Sequence, residues 1–460
     1  MRLLVIGGDA AGMSAASHVR RAVPDAEIVV FERGPYTSYS MCGIPYYISG
    51  MIETCEDLVV RSPEEFRRQG VTVHMGTEAV AIDPSASMVR VLQLATGEER
   101  EEPYDALLYA AGAHPSSPPI PGFAEYSHVV HTLAEGERIR RRLDAEGSRI
   151  ERVVVVGAGY IGMEIAEALV RRGLRSTLLD RGDQVMGSLD PDMAAVVQQA
   201  LEAFGVRVRL GEKVVRVEGA GGRCRTVVTA AGEIPADLLV VAVGSRPNVG
   251  IAAAAGCGLG ETGALLVDGR MRTTLDRVWA AGDCVESRHL VSGRAVNVQL
   301  GTHANKQGKV AGIDIAAWLS GGQGDAEFPG VVGTAVTKVC EWEIARTGLS
   351  EAEARAAGLT CEAVRFTGTA KSGYMPEPGV VHVKMLAQAR TGRVLGAQLV
   401  GTGNVGKRID VAATWCHLGV TVQSAQLFDL SYAPPFGSVW DLLQIAARKL
   451  TRQLNLRPQL

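Results

Sequence analysis

Arg152-Val-Val-Val-Val-Gly-Ala-Gly-Tyr-Ile-Gly-Met-Glu164 reads as a buried strand, a glycine turn and the start of a helix. The GxGxxG spacing of Gly157, Gly159 and Gly162 allows a tight turn, close approach of a pyrophosphate to the backbone, and helix packing on the strand. The next strand, 176–179, ends at Asp180, twenty-three residues past Gly157, where an acid accepts ribose hydroxyls. The run Asp237-Leu-Leu-Val-Val-Ala-Val-Gly244 closes this unit, so residues 117–264 are expected to form a dinucleotide-binding α/β domain.

The same plan recurs toward the N-terminus. A strand at 2–6, a helix at 13–23 and a strand at 27–31 flank the turn Gly7-Gly-Asp-Ala-Ala-Gly12. Asp9 stands where the central glycine belongs, which weakens the motif; Glu32, twenty-five residues after Gly7, restores it. Short strands follow at 71–73, 78–82 and 89–94, then a buried strand running into a small-residue turn over 104–113. Pro115, Pro118, Pro119 and Pro121 make a stiff boundary. Thr273-Thr-Leu-Asp-Arg-Val-Trp-Ala-Ala-Gly-Asp-Cys284 returns the chain to the first unit and presents Asp283 to a polyol. A helical run from 297 to 319 begins nearby. The chain is therefore an internal repeat, with one unit (117–264) inserted into another (1–116 and 265–328). Beyond 329 the pattern changes to antiparallel strands at 331–346, 362–367, 380–387 and 394–400, a hairpin turn at 390–393, and helices near 405–418 and 439–450. This third unit, 329–460, carries no nucleotide motif and reads as a dimerisation module.

Composition narrows the classes. Forty-seven basic and 50 acidic residues leave a net charge of −3, which favours neither nucleic acid nor an anionic membrane as partner. The most apolar window, 153–170, is broken by Gly157, Gly159, Glu164 and Glu167 and does not span a bilayer. The N-terminus reads as a strand, not a signal peptide. Eight cysteines without a CxxC pattern fit a reducing, cytoplasmic setting.

One cysteine stands out. In Tyr36-Thr-Ser-Tyr-Ser-Met-Cys-Gly-Ile-Pro-Tyr-Tyr-Ile-Ser-Gly50, Cys42 follows the first nucleotide unit at the start of a short predicted helix, where N–H groups are expected to lower a thiol pKa. Ser38-Tyr-Ser-Met-Cys42, continued by Gly-Ile-Pro-Tyr-Tyr47, resembles the Ser-Phe-x-x-Cys signature of the single-cysteine branch of the pyridine nucleotide–disulfide oxidoreductases, a family of flavoproteins with two dinucleotide-binding domains. The resemblance covers almost the whole chain. Position 47 is Tyr, where the glutathione-reductase branch has a second cysteine.

The resemblance implies FAD, NADH or NADPH, and a homodimer with shared active sites. FAD would meet Gly7, Ala10, Ala11 and Gly12, then Glu32 and Arg33, Val80, Ala111 and Gly112, and Asp283. The nicotinamide cofactor would meet Gly157, Gly159, Ile161 and Gly162, with Tyr160 swinging aside, Glu164 orienting the nicotinamide, and Gly244 nearby. Asp180 favours NADH, and Arg181 beside it opposes that preference. The branch contains coenzyme A disulfide reductases, NADH oxidases and NADH peroxidases. The oxidases and peroxidases carry a His where this sequence has Ala10, which points toward the disulfide reductases. Tyr374 and Tyr432 match the two tyrosines those reductases extend into the partner subunit's site. Ser14, His18, Arg21, Ser38 and His303 fall on or beside their coenzyme A contacts. Met41 and Trp440 depart from the pattern, Trp440 standing where a basic residue would meet phosphate; Arg20, Arg21, Arg61, Arg67 and Arg68 are the candidates to replace it. The implied chemistry is reduction of a small-molecule disulfide through a covalent coenzyme A mixed disulfide on Cys42. Alternatives are an oxidase or peroxidase using a Cys42 sulfenate, a polysulfide or persulfide reductase, and an electron-transfer reductase serving a protein partner. The absence of a rhodanese-type segment after Leu460 is read as removing one route to persulfide chemistry.

Overall fold

The computed structural model describes residues 1–457. Strand Arg2–Ile6 lies at the centre of a parallel sheet ordered Val278–Ala280, Ala106–Tyr109, Arg2–Ile6, Glu27–Glu32, Val71–Met75. The Val278–Ala280 strand thus joins this sheet after the chain has built a second one. That second sheet is also parallel, ordered Arg207–Arg209, Arg175–Leu179, Arg152–Val156, Leu238–Val241, His128–Val129. The central strands Arg2–Ile6 and Ala106–Tyr109 of the first sheet, and Arg152–Val156 and Leu238–Val241 of the second, are buried almost throughout because both faces are covered. Each unit also carries a three-stranded antiparallel sheet: Thr77–Asp83, Met88–Gln93 and Glu98–Pro103 in the first, Val214–Ala220, Arg223–Thr229 and Gly232–Pro235 in the second. Strands Ala113–Pro115 and Ser245–Pro247 pair antiparallel where the units meet.

The repeat holds down to single atoms. Gly7 N–H donates to Phe31 O at 2.9 Å, and Gly157 N–H to Leu179 O at 2.8 Å. A Cβ on Gly12 would come within 2.0 Å of Gly7 O, and one on Gly162 within 1.7 Å of Gly157 O, so each helix start tolerates only glycine. Helices Ala10–Ala22 and Gly301–Leu319 pack closely because Gly308 faces the Ala11 backbone, where a Cβ would sit 2.2 Å from Ala11 O.

Ala335–Val339, Trp342–Gly348, Val394–Gly401, Val381–Gln388 and Cys361–Gly368 form, in that order, the antiparallel C-terminal sheet, with helices Val405–Leu418 and Leu442–Gln453 against it. The expected strand region 331–346 is a hairpin turning at Cys340, whose φ is 59°. The run expected from 297 is helical only from Gly301, and the first helix starts at Ala10, immediately after its turn. Helices Leu133–Glu146 and Pro191–Phe204 escaped the sequence reading, although Thr132 with Glu135 forms a capping box and Asp190-Pro191 is a helix-start signal. Of the unit expected at 329–460, residues 458–460 lie outside the described residues. Among the described residues, no helix is long and apolar enough to cross a membrane.

Candidate active site

Cys42 lies in a 3₁₀ turn, Met41–Gly43, one step ahead of helix Ile44–Ser49. It is the exposed one of eight free cysteines; Cys361 is half-buried and the other six are buried. The loop before it is stitched to the first glycine turn. Ser38, at φ 49°, donates its N–H to Gly8 O at 3.0 Å, Thr37 Oγ1 donates to the same oxygen, and Tyr39 N–H donates to Asp9 Oδ1 at 3.3 Å. From the other side, Ser40 N–H bonds Leu58 O at 2.8 Å, and Gly43 leaves room for Leu58, whose Cδ2 would stand 2.2 Å from a Cβ there.

The helix does not lower this thiol. Crowding by the surrounding protein pushes the Cys42 pKa up and the Glu164 carboxylate pushes it further, against a smaller downward pull from the Cys42 N–H. A six-residue helix behind a 3₁₀ turn offers little dipole, so the expectation of a lowered pKa is corrected. Glu164 is itself lifted to about 7 by burial, with Glu167 adding to the shift and a hydrogen bond from Thr337 Oγ1 opposing it.

The two carboxylates expected at ribose positions occupy matching places. Glu32 accepts Gly8 N–H at 2.8 Å and Gly34 N–H at 2.6 Å; Asp180 accepts Ala158 N–H at 2.6 Å and Gly182 N–H at 2.7 Å. Ala10, Ala11 and Gly12 form the first helical turn, and Gly112 is left-handed at φ 64° with open space over its α-carbon. Asp283 is held above the usual carboxylate range by burial, and its backbone oxygen accepts Asn297 Nδ2 at 2.9 Å. Arg33 pairs with Glu78 at 3.5 Å, and Val80 sits at a register break in its strand. A dinucleotide fits this set: open glycine turns, a carboxylate at each strand end, and a helix N-terminus behind each turn. In the second unit, Gly159 and Gly244 face open space, Ile161 is exposed at the helix start, and Arg181 is exposed. The Tyr160 hydroxyl is buried, which raises its pKa, and the Ser188 side chain opposes that rise with a hydrogen bond.

The family description pyridine nucleotide-disulphide oxidoreductase matches residues 1–308, and its dimerisation domain matches residues 334–442. The chain belongs to this family. It is an NAD(P)H-dependent flavoprotein oxidoreductase. It is 39% identical, over 97% of its length and 98% of the relative's, to the NAD(P)H sulfur oxidoreductase (CoA-dependent) of Pyrococcus abyssi. A NAD-dependent persulfide reductase from A. fulgidus superposes with a TM-score of 0.94 at 38% identity, covering 99% of this chain and 84% of that one. Reduced CoADR-RHD of Bacillus anthracis superposes at 0.93 with 31% identity, covering 99% and 80%.

Of the expected thiol-compound contacts, Ser14, His18, Arg21 and His303 lie on helices Ala10–Ala22 and Gly301–Leu319, and Ser38 lies on the cysteine loop. Ser14 Oγ donates to Asn305 Oδ1 at 2.6 Å. His18 is pushed down by burial and by the charges of Arg21 and Lys309, and His303 by burial and Lys306. Lys306 and Lys309 were missed in the sequence, although they continue the i, i+3 spacing of His303 along helix Gly301–Leu319. Arg20 is not free to replace a phosphate-binding base, because its guanidinium is held by the carbonyls of Pro24, Ala26 and Gly70. Arg448 stacks over Trp440 at 5.2 Å and brings a cation beside the position where the pattern lacks one. Tyr374 and Tyr432 are both exposed and lie together. Their mutual hydrogen bond raises the Tyr374 pKa and lowers that of Tyr432, with Ser372 also bonding both.

Proposed function

We propose that the protein uses NAD(P)H to reduce the sulfur–sulfur bond of a coenzyme A derivative through Cys42 alone. The observation that carries this reading is an exposed, unpaired Cys42 on a loop hydrogen-bonded to the flavin-side glycine turn. Residues 1–116 with 265–328 would hold FAD, 117–264 the nicotinamide cofactor, and 329–460 the second subunit. Asp180 supports NADH. The bound flavin supplies a two-electron relay from nicotinamide to sulfur. The chain's own residues do the rest. Cys42 thiolate attacks one sulfur of the substrate, a Cys42–S bond forms, and the other sulfur leaves as a thiolate. Tyr432 and Tyr374 of the second subunit would give that thiolate a proton or a hydrogen bond. Two electrons from NAD(P)H then break the Cys42–S bond and free the second thiol. Ser14, His18, Arg21, Ser38 and His303, with Lys306 and Lys309, would hold the coenzyme A portion by its hydroxyls and phosphates.

Relatives named for CoA-dependent sulfur reduction and for persulfide reduction favour a persulfide of coenzyme A beside its disulfide as substrate. Steady-state rates with each, at equal concentrations, rank the two. A Cys42→Ser variant should keep FAD and accept hydride from NADH in a single turnover, yet lose at least about a thousandfold in disulfide or persulfide reduction, as expected when a covalent nucleophile is removed. Reduction at the native rate by that variant would end this reading.

A further inference from the structure

The two glycine turns superimpose in role but differ in one group. Gly159 opens the second turn with extended backbone (φ −82°, ψ −171°), and a Cβ there would meet nothing within 4 Å. Asp9 holds the corresponding place in the first turn with similar backbone (φ −118°, ψ −153°), and each residue's carbonyl accepts the N–H four residues on, at 2.9 Å for Asp9 and 3.1 Å for Gly159. The space left open beside Gly159 is therefore filled beside Gly8 by a carboxyl group. That carboxyl accepts the Tyr39 N–H of the cysteine loop at 3.3 Å and, on its own helix, is drawn down by the Ala10 N–H. The charged groups acting on it are also acidic. Glu32 reaches it from the strand end and Asp283 from the returning segment, while His131 acts on Asp283 and Glu135 on Tyr39.

We infer that Asp9 makes flavin binding proton-linked: the carboxyl takes a proton from solvent when the cofactor's anionic pyrophosphate arrives at the turn, and in doing so keeps its bond to the cysteine loop. This rests on the reading of the first unit as the FAD site. Burial, and then Glu32 and Asp283, already hold Asp9 at about 6, against the pull of the Tyr39 and Ala10 N–H groups. A dianion alongside raises it further, so the bound form carries more protons than the free form at neutral pH. The sign follows. Affinity is full below about pH 6 and falls as pH rises above it, approaching about tenfold per unit for one linked proton. The second turn, with Gly159, has no such group.

The test is the FAD dissociation constant of the full-length protein, read from free-flavin fluorescence at equilibrium from pH 5.5 to 8.5. Expected is a rise of about tenfold or more between pH 6 and 8 in the native chain. Asp9→Asn, which keeps an oxygen for Tyr39, should flatten the curve and bind more tightly at pH 8; Asp9→Gly, the residue of the second turn, should flatten it too. The same slope in both variants, or a flat native curve, would overturn the inference while leaving the FAD site intact. Absence of flavin at every pH in every variant would overturn both.

Discussion

Cys42 carries a thiol that its surroundings hold protonated, and Glu164 is the charged group among the causes. With Glu164 at about 7, its carboxylate opposes the thiolate most strongly above neutrality and little below pH 6. Glu164→Gln should therefore speed alkylation of Cys42 by iodoacetamide roughly threefold to tenfold at pH 8, with the gain fading toward pH 6. A gain independent of pH would show that Glu164 acts by shape. That Cys42 stands without a neighbouring cysteine was legible in the sequence, since position 47 is Tyr. The Cys42 pKa direction was not, because it depends first on burial by the folded chain and then on the Glu164 carboxylate, more than a hundred residues away in sequence.

At the scale of elements, the paired glycine turns give separable predictions. Gly162→Ala puts a methyl group into Gly157 O and should abolish NADH-driven flavin reduction while FAD stays bound; Gly12→Ala, against Gly7 O, should yield protein without flavin. Absorbance at the flavin band and anaerobic NADH titration read the two effects. The buried Lys384 makes the link between the inserted unit and the C-terminal sheet: it pairs with Asp190 at 3.2 Å, Asp192 at 2.9 Å and Glu351. Lys384→Met should lower stability in urea by about 3–5 kcal/mol, because three carboxylates lose their shared cation. Both turns were legible from glycine spacing and the distant acids Glu32 and Asp180. Lys384 was not, because nothing local in Val-Lys-Met marks a strand lysine that meets Asp190 almost two hundred residues earlier. The hairpin at Cys340 was also hidden, since its turn lacks glycine.

At the scale of the molecule, the C-terminal unit exposes Tyr374 (73%), Phe436 (72%), Val439 (67%) and Trp440 (44%), an apolar set beside the Tyr374–Tyr432 pair. Exposed apolar side chains of this kind, in a segment matched to a dimerisation domain, are expected at an interface that a dimer would cover. Phe436→Asp should shift the protein toward monomer in analytical ultracentrifugation and lower disulfide turnover, while NADH still reduces the flavin. A fully active monomer would remove the second subunit's tyrosines from the account. The order of the two parallel sheets and the C-terminal antiparallel sheet was legible because each begins with its own motif or change of period; the surface a second subunit would cover was not, because it depends on side chains that a single chain leaves exposed. The claim on which the rest depends is that Cys42 carries the substrate sulfur unaided by a second protein cysteine. Intact mass of the protein after exposure to coenzyme A disulfide, with and without reductant, tests it directly. Expected is one reductant-reversible adduct of a single coenzyme A thiol, on Cys42 and absent from Cys42→Ser; an unmodified Cys42, or the adduct on another cysteine, would rule out a single-cysteine carrier at this position.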